Sequence, residues 1–220
     1  MDGICALYDA LAALLTYPDA GYAERVDRCR QALQDRFPEA ASLLDRFAER
    51  TGVGCVKRSA DAPTEPPCVG ATLDAPYADL EELYTQTFDL NPVCSLEVGW
   101  HLFGENYSRG EFLVLMRQEL RKHGLPESTE LPDHLTHVLP AVARMEAQQA
   151  TRFASTYILP ALEKMQAGLA GKDSPYQDVL EAIRDVLISA HGCRSEPSPT
   201  MGRGRRSLQI VGEGVAGDTP

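Results

Sequence analysis

The feature that constrains this chain most is the spacing of its apolar residues. Ile4, Leu7, Tyr8, Leu11, Leu14 and Leu15 recur at i, i+3, i+4, i+7. That spacing puts them on one stripe of a helix, and such a stripe needs another element to cover it. The pattern returns at Leu43, Leu44 and Phe47; at Leu73, Tyr77, Leu80, Tyr84 and Phe88; and at Phe112, Leu115, Met116 and Leu120. It returns again at Leu135, Val138, Leu139 and Val142, and at Tyr176, Val179, Leu180, Ile183, Val186 and Leu187. No stretch alternates apolar and polar residues as a half-buried strand does, and no repeat of fixed period is visible. The pattern predicts an all-α fold, a single-domain helical bundle of about seven to nine helices with a disordered C-terminal tail.

Prolines and glycines set the expected boundaries. Pro18-Asp19 closes a first helix over Ile4–Tyr17 and opens a second over Ala20–Arg36, and Pro38 suits the first turn of a third reaching about Arg50. Periodicity lapses between Thr51 and Gly70, where Pro63, Pro66 and Pro67 predict a flexible loop over about 51–71. Asn91-Pro92 breaks the chain before a segment Val93–Gly104 and a helix Glu105–His123, with Gly124 as its C-terminal cap and 126–132 as a connector. Asp133 is the expected N-cap of a helix running to Met145, and Pro160 is expected to kink or split a helix over Gln148–Leu169. The domain is expected to span 1–191. Residues 192–220, rich in Gly, Pro, Ser and Arg, read as a disordered tail.

Charge narrows the partners. A net charge of -11 and a pI near 4.9 repel nucleic-acid backbones and anionic membrane surfaces, so a basic peptide is the better match and nucleic acid is not expected. No run approaches the ~20 apolar residues of a membrane span. Met1 to Cys5 lacks the basic start of a secretory signal, which predicts a cytoplasmic protein with no stable membrane insertion. Six cysteines at wide, irregular spacing, with no C-x-x-C, read as free thiols.

Motifs for bond-making chemistry are missing: no phosphate loop, no H-E-x-x-H and no nucleophile elbow. His134 and His137, with Asp133 beside them, form the nearest thing to a metal site; a helix cap and two partly exposed histidines is the plainer reading. Cys94 near His101 lacks an orienting group for a nucleophile. The expectation is a binding module with no catalytic residues and no cofactor of its own.

The middle of the chain carries a resemblance. Tyr84-Thr85-Gln86-Thr87-Phe88-Asp89-Leu90, Cys94-Ser95-Leu96, Gly104-Glu105 and Arg109-Gly110 resemble the nitrate reductase delta-subunit (NarJ-type) branch of the NarJ/TorD/DmsD family of molybdoenzyme assembly chaperones. Glu130-Leu131-Pro132-Asp133-His134-Leu135 is similar to that group's E-P-x-D-H signature, with Leu131 where the first proline would stand. The opening Leu7-Tyr8-Asp9-Ala10-Leu11 looks like the family's first helix. The resemblance covers roughly residues 4–190; the Thr51–Gly70 insertion and the Arg-containing tail depart from it.

The resemblance implies a dedicated chaperone. Such a protein binds the N-terminal region of the catalytic (alpha) subunit of a molybdenum-containing oxidoreductase. It assists molybdenum cofactor insertion before membrane docking or export, with cofactor biosynthesis proteins as further partners. On that reading Tyr84 and Phe88 form an apolar wall, Asp89 and Glu97 meet client arginines, Trp100 and His101 line the mouth, and Asp133 and His134 belong to the peptide-binding set. The plainer alternative makes Tyr84 and Phe88 core, Asp89 and Asp133 caps, and His134 the partner of a nearby carbonyl. His101 and His134 within the matched motifs predict binding that changes between pH 6 and 8. Arg203, Arg205 and Arg206 resemble a twin-arginine signal at the wrong end of the chain, with no apolar run after them. They read as solvated tail, or as a segment that occupies the acidic groove until a client displaces it. Other readings stand beside the chaperone: a helical adaptor or regulator unrelated to molybdoenzymes, a metal-dependent helical hydrolase on His134 and His137, and a structural subunit of the reductase.

Overall fold

The structure is a computed structural model describing residues 2–53 and 75–192. Most of the expected loop and the whole tail beyond Gly192 lie outside the described residues. The described chain is all-α: α1 (Asp2–Ala13), α2 (Tyr22–Gln34), α3 (Pro38–Thr51), α4 (Ala75–Tyr84), α5 (Val98–Phe103), α6 (Tyr107–Lys122), α7 (Leu135–Arg144), α8 (Ala147–Phe153), α9 (Leu159–Leu169) and α10 (Tyr176–His191). A π-helical turn over Thr85–Asp89 continues α4, a 3₁₀ turn covers Pro92–Cys94, and a π-helical turn over Ala154–Ile158 joins α8 to α9. Among the described residues no strand forms; Glu97 and His134 pair as a lone antiparallel bridge.

Helix ends differ from the periodic expectation for identifiable reasons. Leu14 and Leu15 are buried, as their stripe requires, but they sit in a turn beyond Ala13. Their carbonyls accept hydrogen bonds from the hydroxyls of Tyr22 (2.7 Å) and Tyr84 (2.9 Å) instead of from further helix. The second helix starts at Tyr22 because Asp19 turns the chain first, accepting from the Gly21 N–H (2.7 Å) and pairing with Arg25 (2.9 Å). α6 starts at Tyr107, where the Asn106 side chain accepts from the Ser108 N–H. Its other end is a Schellman cap: Gly124 takes φ 64°, its N–H bonds the Arg121 carbonyl, and the Leu125 N–H bonds that of Leu120. Pro160 does split its helix, falling in the first turn of α9 just after the π turn.

The core holds two aromatic groups. Phe103, Phe112, Phe153 and Tyr157 pack between α5, α6 and the α8–α9 rod. Tyr22, Phe47 and Tyr176 pack at the crossing of α2, α3 and α10, and Tyr176 continues into Tyr84, Phe88 and Tyr17. On α10, Asp178 lies almost fully buried and accepts from Arg46 (2.9 Å) and Arg50 (3.1 Å), clamping α3 to α10.

Candidate functional site

The second aromatic group reaches the surface in an open cleft of about 840 Å³. Leu15 and Tyr17, after α1, form one side with Tyr84 and Phe88. Leu125, Pro126, Ser128 and Glu130 form the other, placed there by the Gly124 cap. Asp89, Leu96, Glu97 and His134 also line it, as do Asp9 and Arg144. Tyr84 and Phe88 are therefore both core and cleft wall: 6% and 4% exposed, in edge-on contact with one another, yet lining the opening. Tyr17 (51% exposed) stacks edge-on against Tyr84 and extends the aromatic surface outward.

The π turn matters to this wall. Its extra residue per turn leaves Thr87 and Phe88 buried and Asp89 exposed within a single turn, and the Leu90 N–H closes it onto the Thr85 carbonyl (2.9 Å).

Charge in the cleft is unbalanced. Arg144 is matched by Asp9 in a two-point pair (2.8 and 2.9 Å). Asp89, Glu97 and Glu130 make no ion pair among the described residues. Burial and then the nearby Glu97 carboxylate push the Asp89 carboxyl above its usual range. A cation seated between the two would relieve that repulsion.

Asp133 plays a different part from the one its position suggests. It does not cap α7. Its side chain is fully buried and reaches back to α5, where Oδ2 accepts from the Gly99 N–H (2.9 Å). Its carbonyl takes the Val98 N–H (3.0 Å), and Leu135 donates to the Leu96 carbonyl (3.0 Å). Asp133 thus caps α5 from another segment and clasps 96–99 to the start of α7. The fit needs glycine at 99, where a Cβ would stand 2.6 Å from Oδ2 and 3.0 Å from the Phe112 ring. Burial raises the Asp133 carboxyl; the Arg109 guanidinium and the Gly99 N–H pull it back.

The N-cap of α7 is His134, whose Nδ1 accepts from the Thr136 N–H (3.3 Å). That bond needs an unprotonated Nδ1, and burial pushes the ring down to about 4. His134 therefore stays neutral between pH 6 and 8, and burial moves His101 in the same direction. Burial thus favours the neutral form of both rings. His137 is not half-exposed but buried, donating from Nδ1 to the Leu131 carbonyl (3.0 Å) and accepting from the Ser128 N–H (3.2 Å) at Nε2. The carbonyl-fixing role expected of His134 belongs to His137, which holds the 128–131 wall.

The remaining expected residues fall outside the cleft lining. The Trp100 indole donates to the Pro92 carbonyl (2.9 Å) under the Arg109 guanidinium, and His101 bonds the Ser95 carbonyl (2.7 Å). Both brace the segment that carries Glu97. The structure thus brings Tyr84, Phe88, Asp89, Glu97 and His134 together and sets Trp100, His101 and Asp133 behind them. Tyr17, Leu125, Glu130 and the Asp9–Arg144 pair were missed. Glu130 lay in the matched motif, but the Asp9–Arg144 pair joins positions too distant for any local signal.

No group of three His, Cys, Asp or Glu among the described residues is placed to hold a metal ion. The Cys94 thiol is buried and pushed up to about 12, which disfavours a thiolate. No described helix is long and apolar enough to cross a membrane.

Comparison with known proteins bears on this geometry. The nitrate reductase molybdenum cofactor assembly chaperones NarJ of Escherichia coli (strain K12) and of Escherichia coli O157:H7 are each 32% identical to the chain over 113 residues. That is 51% of this chain and 48% of each relative, so the match spans about half the length of these curated relatives. The model of the nitrate reductase delta subunit family matches residues 30–182, which include α5, α6, the clasp and all of the cleft except Asp9 on α1 and Leu15, Thr16 and Tyr17 after it. On that match the chain belongs to the nitrate reductase delta subunit family.

Proposed function

We propose that the protein is an assembly chaperone for a molybdenum-containing oxidoreductase, with a nitrate reductase catalytic subunit as its client. The observation that carries the proposal is the cleft itself: three carboxylates that make no ion pair among the described residues, beside an aromatic wall, in a chain of this family. An N-terminal segment of the catalytic subunit that combines arginines with apolar residues suits both features. Its apolar side chains lie against Tyr17, Tyr84 and Phe88, as an amphipathic segment lies in a groove. Its arginines meet Asp89, Glu97 and Glu130, whose planar carboxylates match the guanidinium fork.

The mechanism is retention and needs no bond-making in the cleft. While the segment is held, the subunit stays apart from its membrane partner or the export route, and cofactor biosynthesis proteins deliver the molybdenum cofactor to it. In cells lacking this gene, the catalytic subunit is expected to accumulate without molybdenum. Normal loading there, measured by elemental analysis of the purified reductase, would overturn the proposal.

A further inference from the structure

The cleft and the sequence beyond the fold fit one another. The described chain ends at Gly192, next to His191, whose ring bonds the Tyr8 hydroxyl (2.7 Å). Tyr8 is the neighbour of Asp9, which lines the cleft with its partner Arg144. The tail therefore begins one residue past a contact with Tyr8, which stands one position along α1 from the cleft residue Asp9. Arg203 lies eleven positions beyond Gly192. Eleven residues extend to at most about 36–40 Å, which exceeds the span of a cleft of this volume.

The segment that arrives has the right chemistry. Arg203, Arg205 and Arg206 form a basic group in a chain of net charge -11, and Leu208, Ile210 and Val211 follow at once. These three apolar residues are too few for an export signal, but they suffice to touch an aromatic wall. The order, arginines and then apolar side chains, is the one proposed above for the client.

We propose that residues 203–211 are a tethered occupant of the cleft, with the arginines at Asp89, Glu97 and Glu130 and Leu208 and Ile210 against Tyr84 and Phe88, and that a client must displace them. This rests on the reading of the cleft as the client site. Tethering supplies an effective concentration in the millimolar range, so even a weak contact keeps most clefts filled. Apparent client affinity falls by the fraction of clefts left open. Filling also protects the arginine-binding carboxylates from unrelated cationic peptides.

The test compares three full-length chains: wild type, R203Q/R205Q/R206Q, and L208S/I210S, which leaves the charge unaltered. A synthetic peptide with the N-terminal sequence of the catalytic subunit is titrated into each by calorimetry. Amide exchange over 85–97 and 126–137 is followed in each free chain. Both variants are expected to bind the peptide about tenfold more tightly than wild type and to exchange these amides faster. Equal affinity together with equal exchange would overturn the inference while leaving the client site standing. If no chain binds the peptide, the client reading fails, and the exchange comparison alone decides whether the tail fills the cleft. Protection that disappears on dilution would mean that the tail enters a second copy, which also overturns the tethered form.

Discussion

Gly99→Ala and Asp133→Ala are expected to cost far less together than the sum of their separate costs. A Cβ at 99 would stand 2.6 Å from Asp133 Oδ2 and 3.0 Å from Phe112 Cδ1. Neither neighbour can yield: both are fully buried, and the main chain at Asp133 is fixed by the Val98 and Leu135 bridges. Overpacking of this kind costs roughly 1–3 kcal/mol. The carboxylate's hydrogen bond to the Gly99 N–H is worth roughly 1.5–3 kcal/mol more, since its acceptor is charged. Gly99→Ala is thus expected to lose about 2.5–6 kcal/mol. Asp133→Ala loses the same bond and strands the nearby Arg109 charge, at about 2–4 kcal/mol. In the double variant the methyl group fills space the carboxylate left, and the shared bond is lost only once. The double cost is therefore expected to fall short of the sum by at least about 1.5 kcal/mol. Urea unfolding midpoints at unchanged slope measure it. Additivity within about 0.5 kcal/mol would refute the clasp.

Tyr84→Phe keeps the ring in the aromatic group and removes only the bond to the Leu15 carbonyl, so a loss of about 1 kcal/mol in thermal unfolding is expected, with client affinity retained. Tyr84→Ala is expected to cost roughly 3–5 kcal/mol and so to report on folding; abolished binding in Tyr84→Phe at unchanged stability would instead put the hydroxyl on the client. His134 is depressed in the folded state from 6.5 to about 4, so its stabilisation is complete above pH 6.5 and is lost as pH falls toward 4. His134→Asn keeps a capping side chain without a titrating ring and is expected to flatten the acid limb of the stability–pH curve; His101 and His191, also lowered by burial, leave a remainder. An unchanged limb would refute the neutral cap. Asp178→Ala removes the buried carboxylate that Arg46 and Arg50 share, leaving α10 only the longer Arg46–Glu181 pair (4.0 Å), and is expected to cost about 2 kcal/mol, measured by urea unfolding; no loss would show that the clamp is solvated.

What the sequence made legible followed from local rules. Helical period sufficed for the bundle because a stripe such as Tyr176 to Leu187 buries as its spacing demands. It misjudged the end of α1, since Leu14 and Leu15 obey the stripe while two distant tyrosines take their carbonyls. Asp133 looked like a cap by position, and it is one, but for α5, from which 34 positions separate it at Gly99. Tyr84 and Phe88 were weighed as either core or wall; a cleft that opens on the edge of the core makes them both. Asp9 and Arg144 carry no adjacent pattern, and only the packing of α1 on α7 brings them together.

Client selection rests on carboxylates that make no ion pair among the described residues and would take a cationic segment. Calorimetry with the N-terminal peptide of the catalytic subunit, against wild type, Asp89→Asn and Glu97→Gln, tests this most directly. Each variant is expected to bind about tenfold more weakly, a loss of about 1.4 kcal/mol, and the difference is expected to vanish when the peptide's arginines become glutamine. Equal affinity of all three proteins for the arginine-containing peptide would contradict the account.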